Sequence, residues 1–158
     1  MPRNNQPVAA AEAIAAARDL AWGGQHAQAV EMATSALAKH GDEADSLVLL
    51  ELRVESLIAQ AEIERARADV DAMLAIAERT GLPAFAAQAL NCQTLLHIRS
   101  AQLQPAVDCA TRALAAAKRS RRKTLVSLCL LRLAEARVEK IALDASGKPR
   151  GTERLDVK

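Results

Sequence analysis

The segment Gly24-Gln25-His26-Ala27-Gln28-Ala29-Val30-Glu31-Met32-Ala33-Thr34-Ser35-Ala36-Leu37-Ala38 is written a second time. It returns as Ala101-Gln102-Leu103-Gln104-Pro105-Ala106-Val107-Asp108-Cys109-Ala110-Thr111-Arg112-Ala113-Leu114-Ala115, at a constant offset of 77 residues (29 to 106). A weaker copy lies midway, with Ala68, Ala72, Ala75, Ile76 and Ala77 opposite Ala29, Ala33, Ala36, Leu37 and Ala38. The steps are then 39 residues (29 to 68) and 38 (68 to 106). Recurrence at a set interval of tens of residues marks a stacked repeat protein, in which each repeat covers its neighbour's apolar face. Such a fold presents surface and points to binding.

Working outward from that segment, Ala29, Ala33, Ala36 and Leu37 keep the three-to-four spacing of one helix face. The same period predicts helices over about 8–22, 25–39, 44–61, 64–79, 84–99, 105–118 and 123–143. Gly23-Gly24, His40-Gly41-Asp42 and Thr80-Gly81-Leu82-Pro83 punctuate them. Composition agrees. Of the chain, 51% is hydrophobic but only 1% aromatic, so the core consists of Ala, Leu, Val and Ile. Ala and Leu lead the helix-propensity ranking, and the scarcity of aromatics disfavours a sheet. The fold class is all-α: a right-handed α-solenoid of about three helix hairpins plus a C-terminal capping helix. Residues 1–143 form this domain. Residues 144–158 lack an apolar period, contain breakers and are expected to be a flexible tail.

The paired-helix repeat resembles the tetratricopeptide repeat. Gly24 sits at that family's turn glycine, Ala29 at the first small position of its second helix, and Ala36-Leu37 at its Ala-Leu pair. Ala106 and Ala113-Leu114 repeat the match, with Ala101 in place of the glycine; in the middle copy that glycine corresponds to Ala61 or Ile63. The period is longer than the family's usual 34 residues, and its aromatic positions hold Ala or Leu. The resemblance covers about residues 10–140 and is closest to helical-repeat regions attached to bacterial signalling proteins. It implies a protein or peptide partner held on a concave face lined by the first helix of each hairpin. Carried over, that face includes Ala11, Ile14, Arg18 and Trp22 in the first hairpin. In the third it includes Gln88, Asn91, Leu95, Ile98 and Arg99. Asn91 is either a clamp on a peptide backbone, using one acceptor and two donors, or an ordinary solvated helix residue. Trp22 is either a binding anchor or a residue packed at the mouth of the first turn.

Charge is split along the chain. Residues 1–80 hold seven Lys/Arg and thirteen Asp/Glu, whereas residues 81–158 hold fourteen and six. A homo-oligomer joined through the opposite halves is one consequence; solvated helix faces are the other. A basic patch, Lys118, Arg119, Arg121, Arg122 and Lys123, falls between the sixth and seventh helices. The helix dipole accounts for Lys118 and Arg119. The others suit an acidic protein surface, a solvated turn or nucleic acid, although no aromatic lies nearby to stack on bases.

Nothing in the sequence points to an enzyme. His26, His40 and His97 lack zinc-type spacing. Glu62 and Glu64, like Asp69 and Asp71, are two apart on a helix and point to different sides. No metal and no cofactor is expected. Cys92, Cys109 and Cys129 read as buried small hydrophobes, with Cys109 at the inward slot of Met32, and their odd number suits a reducing compartment. No apolar run has the length of a membrane span, and the amino end opens no signal-type run. The chain is expected in the cytoplasm. The functional expectation is a non-catalytic protein–protein interaction or sensory scaffold module. The alternatives are a small-molecule effector sensor and nucleic-acid binding through residues 118–123.

Overall fold

The structure, a computed structural model, describes residues 6–39 and 41–147, with side chains from Ala9 onward. Every regular element among them is an α-helix. The order is α1 (Gln6–Trp22), α2 (His26–Lys39), α3 (Glu43–Ala59), α4 (Ile63–Thr80), α5 (Pro83–Arg99), α6 (Leu103–Ser120) and α7 (Lys123–Ser146). None is long and apolar enough to cross a membrane among the described residues. The last helix outruns its expected end, reaching Ser146 with Gly147 as a left-handed cap. Residues 148–158 of the expected tail, and His40, lie outside the described residues.

Two compact units divide the chain, Met1–Ile76 and Ala77–Lys158, with the division inside α4. In the first, α1, α2 and α3 pack against one another. Ile14 and Ala17 of α1, Ala33 and Ala36 of α2, and Leu49 and Leu52 of α3 make one core cluster. Alanines at the α2 positions let the backbones approach closely. In the second unit α5, α6 and α7 pack with the same three pairings. Ala106, Ala110 and Ala113 of α6 are buried there as Ala29, Ala33 and Ala36 are in α2. Both written copies of the segment therefore lie in equivalent surroundings, each within its own unit.

The turns that join α1 to α2, α3 to α4 and α5 to α6 are alike. Each has one left-handed residue: Gly24 at φ 76°, Ala61 at φ 60° and Ala101 at φ 57°. Each closes with the same two backbone bonds. Gly24 N–H donates to Ala21 O (3.1 Å) and Gln25 N–H to Leu20 O (2.8 Å). Ala61 donates to Ile58 (3.0 Å) and Glu62 to Leu57 (2.9 Å); Ala101 donates to Ile98 (3.1 Å) and Gln102 to His97 (2.9 Å). The longer bond spans five residues in all three, as in a Schellman closure of a helix end. Of the two alternatives for the middle turn, Ala61 is the left-handed residue.

That choice corrects the register of the middle copy. Aligned on the turns, the steps are 37 residues (24 to 61) and 40 (61 to 101). Ala66, Val70 and Met73 then stand opposite Ala29, Ala33 and Ala36, and all three are buried. Ala68, Ala72 and Ala75, aligned on identity alone, are exposed. A slip of two residues turns a helix by about 200°, so matching alanine to alanine selected the outer face. A second correction concerns Met32, which is 37% exposed although Cys109, its counterpart, is 4% exposed.

Candidate interaction surface

On α1, residues 11, 15, 18 and 22 share a face by helical spacing. Ala11 and Ala15 are exposed and Arg18 is half-buried. Trp22 is 80% exposed at the last turn of α1, so it does not pack at the mouth of the turn. Ile14, expected on the same surface, belongs to the core cluster instead. An indole left in water beside a guanidinium one turn away is an available contact.

The α5 residues divide similarly. Gln88, Asn91 and Ile98 are half-buried and Arg99 is exposed, whereas Leu95 is buried at 7%. Leu95 therefore supports the helix from within and does not offer apolar contact to a partner. The Oδ1 of Asn91 is enclosed and has no hydrogen-bond partner among the described residues. An enclosed amide oxygen without a donor is costly, which sets Asn91 apart from a solvated helix residue.

The basic patch is fully displayed. Lys118, Arg119, Arg121, Arg122 and Lys123 are all exposed. Arg121 adopts the left-handed cap of α6 at φ 58°, and Arg122 precedes α7 in extended conformation. Lys118 and Arg119 lie in the last turn of α6, where the negative end of the helix dipole favours cations.

Sequence reasoning missed Arg53. Its Nε donates to Asp69 Oδ2 at 2.7 Å, its Nη2 to Asp69 Oδ1, and its Nη1 to Thr34 Oγ at 3.0 Å. One guanidinium thus ties α3 to α4 and α2. An Arg on an otherwise apolar stretch, Leu52-Arg53-Val54, was the available signal. Asp42 was also read only as a helix terminator. It caps the N-terminus of α3 by accepting from Ala44 N–H (2.9 Å) and Asp45 N–H (3.1 Å).

His97 Nδ1 meets Gln102 Oε1 at 2.8 Å, across the α5–α6 turn. The three cysteines are buried thiols outside any disulfide. Burial pushes the Cys109 thiol above its ordinary range, partly offset by Thr94 and Arg112. No group of three or more His, Cys, Asp or Glu is placed to hold a metal ion among the described residues.

No protein-family model matches this chain, and no solved structure matches it. The exodeoxyribonuclease 7 small subunit of Rhodopseudomonas palustris (strain BisB5) is similar to it over 28 residues, at 75% identity. Those residues are 18% of this chain and 34% of that protein, so the chain spans about a third of that relative's length.

Proposed function

We propose that the chain is a non-catalytic interaction module built from tetratricopeptide-like helix hairpins. The first helix of a hairpin offers the surface on which a peptide or partner helix docks. The supporting observation is the threefold recurrence of one turn at Gly24, Ala61 and Ala101, with buried small or apolar positions at like distances beyond it. Stacked repeats of this kind bind through extended concave surfaces. Trp22 with Arg18 in one unit, and Asn91 with Gln88, Ile98 and Arg99 in the other, are the contact residues. Three thiols outside any disulfide fit a reducing, cytoplasmic setting. Affinity capture from a source lysate with the native chain, Trp22→Ala and Asn91→Ala/Arg99→Ala is the test. The reading requires a partner that the native chain retains and at least one variant loses while keeping its helix content. Equal retention by all three contradicts it.

A second reading rests on two observations, the five exposed cations at 118–123 and the local likeness to a subunit of a deoxyribonuclease. On this reading the patch holds DNA phosphates. Binding to random-sequence DNA then weakens steeply with salt, with a slope of about −0.9 per phosphate contacted on duplex. No binding at low salt removes this reading.

A further inference from the structure

In α7, Cys129, Leu133 and Ala136 are buried as the helix packs on α5 and α6. Its other side is apolar. Leu131 is 69% exposed, Val138 51% and Ile141 67%, and Ala134 and Ala145 are exposed between and after them. Residues 131, 134, 138, 141 and 145 are spaced three, four, three and four apart, the a/d pattern of a helix that lies along another helix. The seam calls for a helical occupant of near-parallel or antiparallel axis, not a flat surface.

We propose that this occupant is α7 of a second copy, running antiparallel. Charge selects the arrangement. With residues 131, 138 and 145 at a, Arg137 and Asp144 occupy flanking g positions, and Glu135 and Ala142 occupy e positions. A parallel pair sets Arg137 against Ala142 and brings no opposite charges together. An antiparallel pair centred on Ala136 sets Arg137 against Arg137 and Glu135 against Glu135, which is repulsive. An antiparallel pair centred between Glu139 and Lys140 sets Arg137 against Asp144 of the second copy, and by symmetry Asp144 against its Arg137. The layers are then Ala134 on Ala145 and Val138 on Ile141, each twice. Leu131 falls beyond these layers. The interface is self-complementary, as a two-fold contact must be. Asp144 already accepts from Lys140 of its own helix at 2.8 Å, and a carboxylate has acceptor capacity for a second cation. From 134 to 145 the seam is only about 17 Å long, so the association is weak and concentration-dependent.

Sedimentation equilibrium of the full chain, from low micromolar to roughly millimolar concentration, tests the proposal. The expected result is a mass that climbs from the 16.8 kDa monomer toward a dimer. Val138→Asp abolishes the rise while circular dichroism keeps its helical signal. Arg137→Asp weakens association by at least about tenfold, and adding Asp144→Arg restores it. A mixture of Val138→Cys and Ile141→Cys chains forms the mixed disulfide on oxidation. A monomer at every concentration, failure of the charge swap to rescue, or self-disulfides of Val138→Cys alone in place of the mixed product overturns the proposal.

Discussion

Arg53 and Asp69, sixteen residues apart, meet through two parallel hydrogen bonds that join α3 to α4. Asp69 is among the few buried polar or charged residues described, and its side chain is 9% exposed against 20% for Arg53. Bidentate Arg–carboxylate geometry is the strong form of the interaction. Because one partner is nearly enclosed, the pair is costly to break from the arginine side.

The first expected outcome follows. Arg53→Met leaves Asp69 buried without its partner and lowers unfolding free energy by about 2–3 kcal/mol, less than a fully buried pair because Arg53 touches water. The double change Arg53→Met/Asp69→Leu loses markedly less than the single, since no charge is stranded. Urea denaturation of the two variants beside the native chain measures both.

The corrected register makes a contrast. Ala33→Leu and Ala110→Leu push a large side chain into sites with no exposure, and each costs about 1–3 kcal/mol. Ala68→Leu, Ala72→Leu and Ala75→Leu fall on the outer face of α4 and stay within about 0.5 kcal/mol of the native chain. Thermal melts of the five variants separate the two registers. Large losses at 68, 72 and 75 would restore the identity-based alignment.

Much of this is legible in the sequence. The written repeat located α2 and α6 and gave equivalent burial at Ala29, Ala33 and Ala36 and at Ala106, Ala110 and Ala113, because alanine at a close helix contact tolerates no larger side chain. The middle copy was misread by two residues because Val70 and Met73 fill the inward positions there while alanines lie outside. Identity and burial diverge wherever alanine serves as a plain helix former. The contact surface was only partly legible. The family resemblance put Ile14 beside Arg18 and Trp22 on the partner-facing side of α1, and Leu95 on that of α5, yet both are buried, since a carried-over pattern does not say which side of each helix its neighbours cover. The Arg53–Asp69 pair was invisible because it depends on the α3–α4 pairing and not on any local motif.

The left-handed turns predict an unusual gain. Alanine at positive φ is strained by about 1–2 kcal/mol relative to glycine's freedom there, less glycine's larger entropy in the unfolded chain. Ala61→Gly and Ala101→Gly are therefore each expected to stabilise by about 0.5–1 kcal/mol. The matching melting temperatures rise by about 1–3 °C. Gly24→Ala, at φ 76° with open space around it, moves the other way by about 1 kcal/mol. Differential scanning calorimetry reads all three.

Cys109 gives a pH dependence. Its thiol donates toward Leu90 O (3.3 Å) and Gln93 Oε1 (3.2 Å), and burial holds its pKa above the ordinary 9.0. The folded chain thus keeps a proton that the unfolded chain loses first. The stabilisation is intact below pH 9 and is lost as pH rises from there through the folded value. Alkylation of Cys109 at neutral pH is expected only through opening of the fold, so at fixed pH its rate should rise with denaturant in step with the opened population. Mass spectrometry of iodoacetamide-treated protein gives the rate, and prompt labelling in native buffer would contradict the buried placement.

Backbone φ at residues 24, 61 and 101, obtained from NMR couplings and chemical shifts of the full chain in solution, tests the threefold hairpin most directly. Positive φ at all three, with right-handed helix on either side of each, is the result the account predicts. A right-handed or extended value at Ala61 or Ala101 would contradict it.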